Sequence, residues 1–335
     1  MVKVRVPATT ANLGPGFDTL GMALGGLYNY VTLEESAKDL EITVEGDGKE
    51  QIPLDASNIV YKAIVEVAKR SGRKLPGISL HIRNEIPITR GLGTSAAATV
   101  AGLVAANELL GKPFNKDELL NIATDFEGHP DNVAPALLGK IVMSTTNVKG
   151  KVIYRQLEPP KDLYVVVAVP DFYVSTGAAR RVLPDKISRK DAIQNVGHTG
   201  LLLWALMNND FQLMGEMMDG DTFHQPYRKS LVPGMDDVFK AAKSRGAFGV
   251  ALSGAGPSII AFCRKEDTSK VGEAMVDAFA KNGVNCTYYK AMPNFTGTEI
   301  IDITGKQRTN VSTLKKAKNA EYLRDVSEEK EIALP

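Results

Sequence analysis

The chain has 335 residues, 44% of them hydrophobic and 24% charged, with 40 Lys and Arg against 39 Asp and Glu. That is enough chain for two globular cores, and a formal charge of +1 supplies no long-range field to gather nucleic acid or an anionic membrane. Cys263 and Cys286 make no metal-ligand spacing, no run reaches the ~18 apolar residues of a membrane span, and MVKVRVPATT has no signal-peptide core, so a cytoplasmic protein with two small buried thiols is expected.

In chain order, Val2, Val4 and Val6 alternate, and Tyr28 to Glu34 and Leu40 to Val44 repeat the period near two, which predicts strands. Apolar residues at Ile59, Val60, Ala63, Ile64 and Val67 have helical spacing over 58 to 70, and Gly72 supplies the stop. Ile78, Leu80 and Ile82 predict a further strand. It runs through PITRGLGTSAA, Pro87 to Ala97, into an alanine-rich segment ending at Gly111, a helix expected to be buried on most sides. Asn115 with Glu118 forms a capping box for a helix through Phe126, and sheet resumes after Gly139. The continuous apolar run Leu163 to Val169 predicts a strand covered on both faces. Ser188 with Asp191 opens a second capped helix, LSGAGPSIIAF puts a glycine turn between two strands, and a helix over 269 to 281 and a strand over 284 to 289 follow. Gly150, Pro159 and Pro160 mark a domain boundary near 150 to 160. Strands and helices mix without strict alternation, which predicts an α+β fold. After about Lys306 the chain turns polar and charged, an extension with an expected loosely docked helix.

A strand, a glycine-rich turn and a helix start make a good phosphate cradle. Glycines let amides face an anion, the first-turn amides of the helix lack intrahelical partners, and the dipole favours negative charge. Pro87, Ile88, Thr89, Arg90, Gly91, Leu92, Gly93, Thr94, Ser95, Ala96 and Ala97 are therefore the candidate nucleotide loop. The segment is neither a Walker A loop nor a dinucleotide fingerprint. Taken alone, it also fits a tight structural turn with Thr94 or Ser95 as helix cap.

PITRGLGTSAA before an alanine-rich helix resembles the nucleotide loop of the GHMP kinases, with Thr94 where serine is usual. PATTANLGPGFDTLG, Pro7 to Gly21, resembles the N-terminal motif of the homoserine kinases within that superfamily, and LSGAGPSIIAF resembles the superfamily's C-terminal glycine motif. The resemblance runs in order from Lys3 to about Tyr289. It implies a two-domain GHMP kinase fold. A domain like ribosomal protein S5 domain 2 would span 1–155, a ferredoxin-like domain 156–305, and an extension 306–335. It further implies ATP as donor, Mg²⁺, L-homoserine as acceptor and a homodimer.

The chemistry can be assigned to residues. Phosphoryl transfer needs alignment and charge neutralisation, so a carboxylate is expected near the loop: Glu127 in EGHPDN is the candidate Mg²⁺ ligand. An amino-acid acceptor needs a carboxylate for its ammonium, and Asp18 is suited to that or to polarising the attacking hydroxyl; it needs arginine forks for its carboxylate, for which Arg180 and Arg228 are suited. The resemblance adds His129 and Asn132 to the acceptor site, Thr176 near the transferred phosphate and Asn58 at the adenine pocket. Some alternatives stay open. Arg181 neighbours Arg180, Asp131 and Asn132 also suit a helix start, His129 suits a turn cap, and Arg90 suits a solvated position. His81, His198 and His224 read as structural. Another GHMP kinase acting on a sugar or isoprenoid precursor, or a ligand-sensing relative without turnover, would share the glycine loop.

Overall fold

A computed structural model of the chain describes residues 1–301. The charged tail and its expected helix lie outside the described residues. Among those described, no helix is long and apolar enough to cross a membrane.

The N-terminal alternation becomes β1 (Val2–Ala11), antiparallel to the long strand β2 (Leu20–Glu35). Their register shifts between Pro7 and Ala8, where proline has no N–H to give the ladder. β3 (Leu40–Gly46), α1 (Ile59–Ser71) and β4 (Ile78–Asn84) follow. α1 starts where the Asn58 side chain accepts from the amides of Val60 and Tyr61, and stops at left-handed Gly72, as the sequence predicts. Next come α2 (Thr94–Leu109), α3 (Lys116–Glu127), α4 (Val133–Leu138), β5 (Ile141–Thr146) and β6 (Val152–Leu157). The capping box of Asn115 and Glu118 is formed at α3. β4 pairs with β2 and, in parallel, with β3, while β5 joins the start of β2 to β6.

The second sheet uses the later half of the chain. Its elements begin with β7 (Tyr164–Pro170), α5 (Thr176–Arg181), α6 (Arg189–Asn208), α7 (Phe211–Met218), α8 (Gln225–Arg228) and α9 (Met235–Ser244). β8 (Gly249–Leu252), β9 (Ile259–Cys263), α10 (Thr268–Lys281) and β10 (Cys286–Ala291) complete it in the antiparallel order β10-β7-β9-β8. β11 (Glu299–Ile301) then returns to pair with β1 in the first sheet.

The unbroken apolar run of β7 has a direct cause. Val165, Val167 and Val169 point into the core shared with the first sheet, whereas Val166 and Ala168 point into a second core with Val250, Ile259 and Phe279. Both faces of the strand are dry, so alternation disappears.

α2 is buried from Ala96 to Asn107 except at Ala98. Small residues let α1 approach it closely. A Cβ on Gly102 would lie 2.5 Å from the Val60 carbonyl and 2.9 Å from the Ala63 Cβ. Backbone cannot yield as a flexible side chain does. Gly102→Ala is therefore expected to lower unfolding free energy by about 1–3 kcal/mol through overpacking, despite alanine's better helix propensity, as read by urea denaturation.

Candidate active site

The glycine loop connects β4 to α2. The cap of α2 is Gly93, in left-handed conformation (φ 68°), and no side chain caps the helix. Thr94 and Ser95 are thus not its caps, contrary to the structural alternative. Thr94 Oγ1 instead donates to the Pro87 carbonyl at 2.9 Å, and the first-turn amides keep their capacity for an anion. Both glycines are demanded by close approach as well as by backbone. A Cβ on Gly91 (φ 75°) would lie 2.2 Å from the Ser253 carbonyl, and one on Gly93 would lie 1.8 Å from Thr9 Oγ1.

Those two contacts bring the three sequence motifs together. Ser253, in the C-terminal glycine turn, donates its hydroxyl to the Gly91 carbonyl at 2.7 Å and shares a hydrogen bond with Thr10 Oγ1 at 2.9 Å. Asn12 Nδ2 donates to the Gly254 carbonyl at 3.0 Å, while Asn12 Oδ1 accepts from the Asp18 amide at 3.0 Å. Asn12, Asp18 and Thr89 all hold positive φ (76°, 53° and 53°), a conformation that non-glycine residues adopt only when their surroundings fix it.

Arg90 corrects the expectation of a solvated side chain. It is buried, lies 3.9 Å over the Tyr173 ring and 3.4 Å from Asp171, and its Nη1 has no partner among the described residues. Burial of the guanidinium stem against an aromatic face explains the difference.

Glu127 is the last residue of α3, and left-handed Gly128 ends the helix there. Its Oε1 accepts from Ser95 Oγ at 2.7 Å and Thr99 Oγ1 at 3.2 Å, which ties this carboxylate to the start of α2. A carboxylate and a hydroxyl at a phosphate cradle are the hard oxygen donors that Mg²⁺ takes alongside phosphate oxygens.

A second cluster adjoins the Gly14–Phe17 turn. Arg180 holds Asp18 in a two-point fork, Nη1 to Oδ2 at 3.1 Å and Nη2 to Oδ1 at 3.0 Å. Arg228 is buried, with Nε bonded to the Ala179 carbonyl at 3.2 Å and Nη1 to the Gly254 carbonyl at 2.9 Å and His224 Nδ1 at 3.3 Å. Its Nη2 makes no hydrogen bond among the described residues, and the guanidinium shares the Phe17 ring with Arg180. Burial pulls its pKa down to about 10, which leaves it charged at neutral pH. Both guanidiniums lie beside the Phe17 ring, at 5.8 Å for Arg180 and 5.1 Å for Arg228.

His224 read as structural, and its structural work bears directly on the cluster. Nε2–H donates to the Gly14 carbonyl at 2.9 Å, leaving Nδ1 to accept from Arg228, and the ring stacks on Phe17 at 5.3 Å. Burial lowers its pKa, so the neutral form fits both bonds.

Asp131 is buried and accepts from His129 Nδ1, and one ligand atom each of Asp18, His129 and Asp131 lies within 4.8 Å of the others. Asn132 is the N-cap of α4 but makes no side-chain capping bond, and Asp131 bonds His129 rather than the helix start, so their motif positions serve the cluster. Thr9 Oγ1 donates to Asn132 Oδ1 at 2.8 Å, and that oxygen would touch a Cβ on Gly93 at 3.0 Å. Asn132 therefore links this cluster with the glycine loop.

Two candidates stand apart from these bonds. Thr176 is the exposed first residue of α5, and Asn58 is fully buried with its side chain committed to capping α1 and to the Pro53 carbonyl. Sequence reasoning missed Thr9, Ser253, Phe17 and His224. The first three lie inside the quoted motifs, so their position was a signal; an isolated histidine carries none.

Burial alone would lower the His129 pKa, but hydrogen bonding and charge from Asp131, with Asp18 behind it, outweigh burial and raise it. A raised folded pKa gives stability that is complete below the unfolded histidine value and fades as pH rises through the folded value. The stability lost in Asp131→Asn should accordingly be largest below pH ~6 and shrink as pH rises past His129's titration. Thermal unfolding of both proteins across that range checks it, and a difference that grows with pH would contradict the assignment.

Comparison with known proteins bears on this geometry. The family model described as GHMP kinases N terminal domain matches residues 58–140, and that described as GHMP kinases C terminal matches residues 202–282. The chain is 50% identical over 301 residues to homoserine kinase of Moorella thermoacetica, spanning 90% of this chain and 100% of that protein. It is 46% identical over 307 residues to homoserine kinase of Carboxydothermus hydrogenoformans, spanning 91% and 99%. The crystal structure of homoserine kinase from Cytophaga hutchinsonii matches with a TM-score of 0.82 at 36% identity, covering 90% of this chain and 97% of that one. L. major mevalonate kinase, crystallised with R-mevalonate, shares the fold at 18% identity and a TM-score of 0.66. With its two-domain fold of mixed helices and strands and relatives matched over nearly their whole length, the chain belongs to the homoserine kinase family of the GHMP kinases.

Proposed function

We propose that the chain phosphorylates the side-chain hydroxyl of L-homoserine with ATP, giving O-phospho-L-homoserine and ADP, as a cytoplasmic homodimeric step of threonine biosynthesis. The observation that carries the reading is the Asp18–Arg180 fork beside the unpartnered Nη2 of Arg228. It presents one carboxylate and two guanidiniums, the complement of an amino acid's ammonium and carboxylate. A neutral sugar has neither charge to offer it, and mevalonate, though a carboxylate, has no ammonium for Asp18.

The protein's part is alignment. The amides and hydroxyls of 91 to 97 cradle the donor's phosphates, with Pro87, Ile88 and Thr89 shaping the approach and Arg90 Nη1 adding a cationic donor. Asn58 acts on the nucleotide pocket through the placement of α1. Glu127 and Ser95 would hold Mg²⁺, which supplies neutralisation of phosphate charge when bound. Asp18, within reach of His129 and Asp131, takes the ammonium. Arg180 and Arg228 take the carboxylate. Asn132, between cluster and loop, orients the hydroxyl, and Thr176 borders the transferred phosphate. A loose transition state gives the nucleophile little need for early deprotonation, so positioning suffices and Asp18 binds rather than abstracts a proton. The division into lobes of 1–155 and 156–305 belongs to the same reading; the presence of two sheets supports two lobes, while β6 extends the first sheet to Leu157 and β11 returns to it.

Asp18 and Arg180 must part for the substrate to enter. Their side chains are 33% and 38% exposed, and such a pair is worth on the order of 0–1 kcal/mol, so an incoming zwitterion can replace it, charge for charge.

ADP release measured with L-homoserine, L-serine, mevalonate and galactose offered separately should be strong with L-homoserine alone. No homoserine-dependent release would overturn the function. Arg180→Gln and Asp18→Asn should each raise the KM for homoserine about 10- to 100-fold while kcat stays within about tenfold. A loss confined to kcat would make Asp18 a base.

A further inference from the structure

Exposed apolar side chains concentrate on one helix. Of the thirteen large hydrophobic residues exposed among the described residues, Ile193, Val196, Leu201, Trp204 and Met207 lie on α6. Trp204 is the only tryptophan in the chain and is 52% exposed. Single exposed hydrophobics are ordinary, whereas four of these five, all but Leu201, share one side of a 20-residue helix.

At ~100° per residue, Ile193, Val196, Gly200, Trp204 and Met207 fall on one side of the helix, with Lys190 at its margin. The opposite side is committed: Leu202, Ala205 and Leu206 enter the core, and Asn195 and Thr199 donate to the Pro15 carbonyl at 2.7 and 2.9 Å. The free face reads alike from its two ends about Gly200. Ile193 and Met207 lie seven residues to either side, and Val196 and Trp204 four residues. A Cβ on Gly200 would meet nothing within 4 Å.

We propose that this face pairs with the same face of a second copy, antiparallel about a twofold axis at Gly200. A twofold interface places residue i against j and j against i, so a face symmetric about its centre is its own complement. Gly200 lets the two helix axes approach to the short end of the ~8–10 Å packing range. Large side chains then meet across it, Ile193 on Met207 and Val196 on Trp204. The inference deepens the homodimer reading above by assigning its surface. Because α6 also carries the Pro15 turn, the interface would brace the acceptor cluster from behind.

Three measurements on the full chain test it. Sedimentation should give a dimer that Val196→Glu converts to a monomer of native circular dichroism. Trp204 emission should shift to the red on dilution through the dissociation range. Gly200→Cys should cross-link to itself under mild oxidation, since an axial residue meets its own copy, with the wild type as control, because Cys263 is buried as expected but Cys286 is only half-buried. A wild type monomeric at ~100 times its working concentration would overturn both dimer and surface. A dimer insensitive to Val196→Glu, with no Gly200→Cys cross-link, would overturn the surface and leave the homodimer reading standing.

Discussion

Everything at the site depends on one backbone contact, the approach of the Ser253 carbonyl to Gly91. It leaves no room for a β-carbon, and it joins segments 162 residues apart. Once made, it fixes three things together. Ser253 reaches across to Thr10, Gly254 is anchored to Ala11 and Asn12, and the same Gly254 carbonyl receives Arg228. The glycine loop and the arginine of the acceptor cluster are therefore registered against each other through backbone. Backbone registration suits phosphoryl transfer, where in-line alignment counts for more than any single acid or base.

Around that contact the site divides into rigid and replaceable parts. Arg228 is buried and tied by three bonds, with neutral His224 holding one end and Phe17 beneath it. Arg180 is a third exposed and held chiefly by Asp18, so it can exchange partners cheaply. A fixed arginine can set where a carboxylate goes, and a movable one can close over it. The positive φ at Asn12 and Asp18 belongs to the rigid part, since Asn12 bonds both the Asp18 amide and the Gly254 carbonyl. That conformational cost is sustained because both side-chain ends of Asn12 are used.

Much of this was legible in the sequence, for physical reasons that differ by element. The Asn58, Asn115 and Ser188 caps, and Gly72 as a stop, act locally, and each stands where local pattern put it. β7 was readable because two cores leave it no wet face. By contrast α7 and α9 went unassigned, and the three residues of β11 carry no period, their place being set by pairing with β1. At the site, residue types pointed to Asp18, Glu127 and the two arginines, while their partners did not declare themselves. That Asp18 would hold Arg180, that Ser95 would hold Glu127, and that Arg90 would be buried under Tyr173 are long-range facts which no local pattern encodes. His224 is the clearest case. Nothing around it in sequence connects it with Arg228's orientation except its place one helical turn before it, and only the fold shows that the turn is used.

The nucleotide loop and the acceptor cluster form one mechanical unit joined at Gly91. The most direct measurement is calorimetric binding of L-homoserine to wild type and Gly91→Ala. Gly91 belongs to the glycine loop and bonds none of the acceptor residues, yet the added methyl must push the Ser253–Gly254 turn and with it Arg228. The prediction is that Gly91→Ala weakens L-homoserine binding at least about tenfold, equivalent to ~1.4 kcal/mol, in a protein that remains folded. An unchanged homoserine Kd, with only nucleotide binding lost, would contradict the coupling.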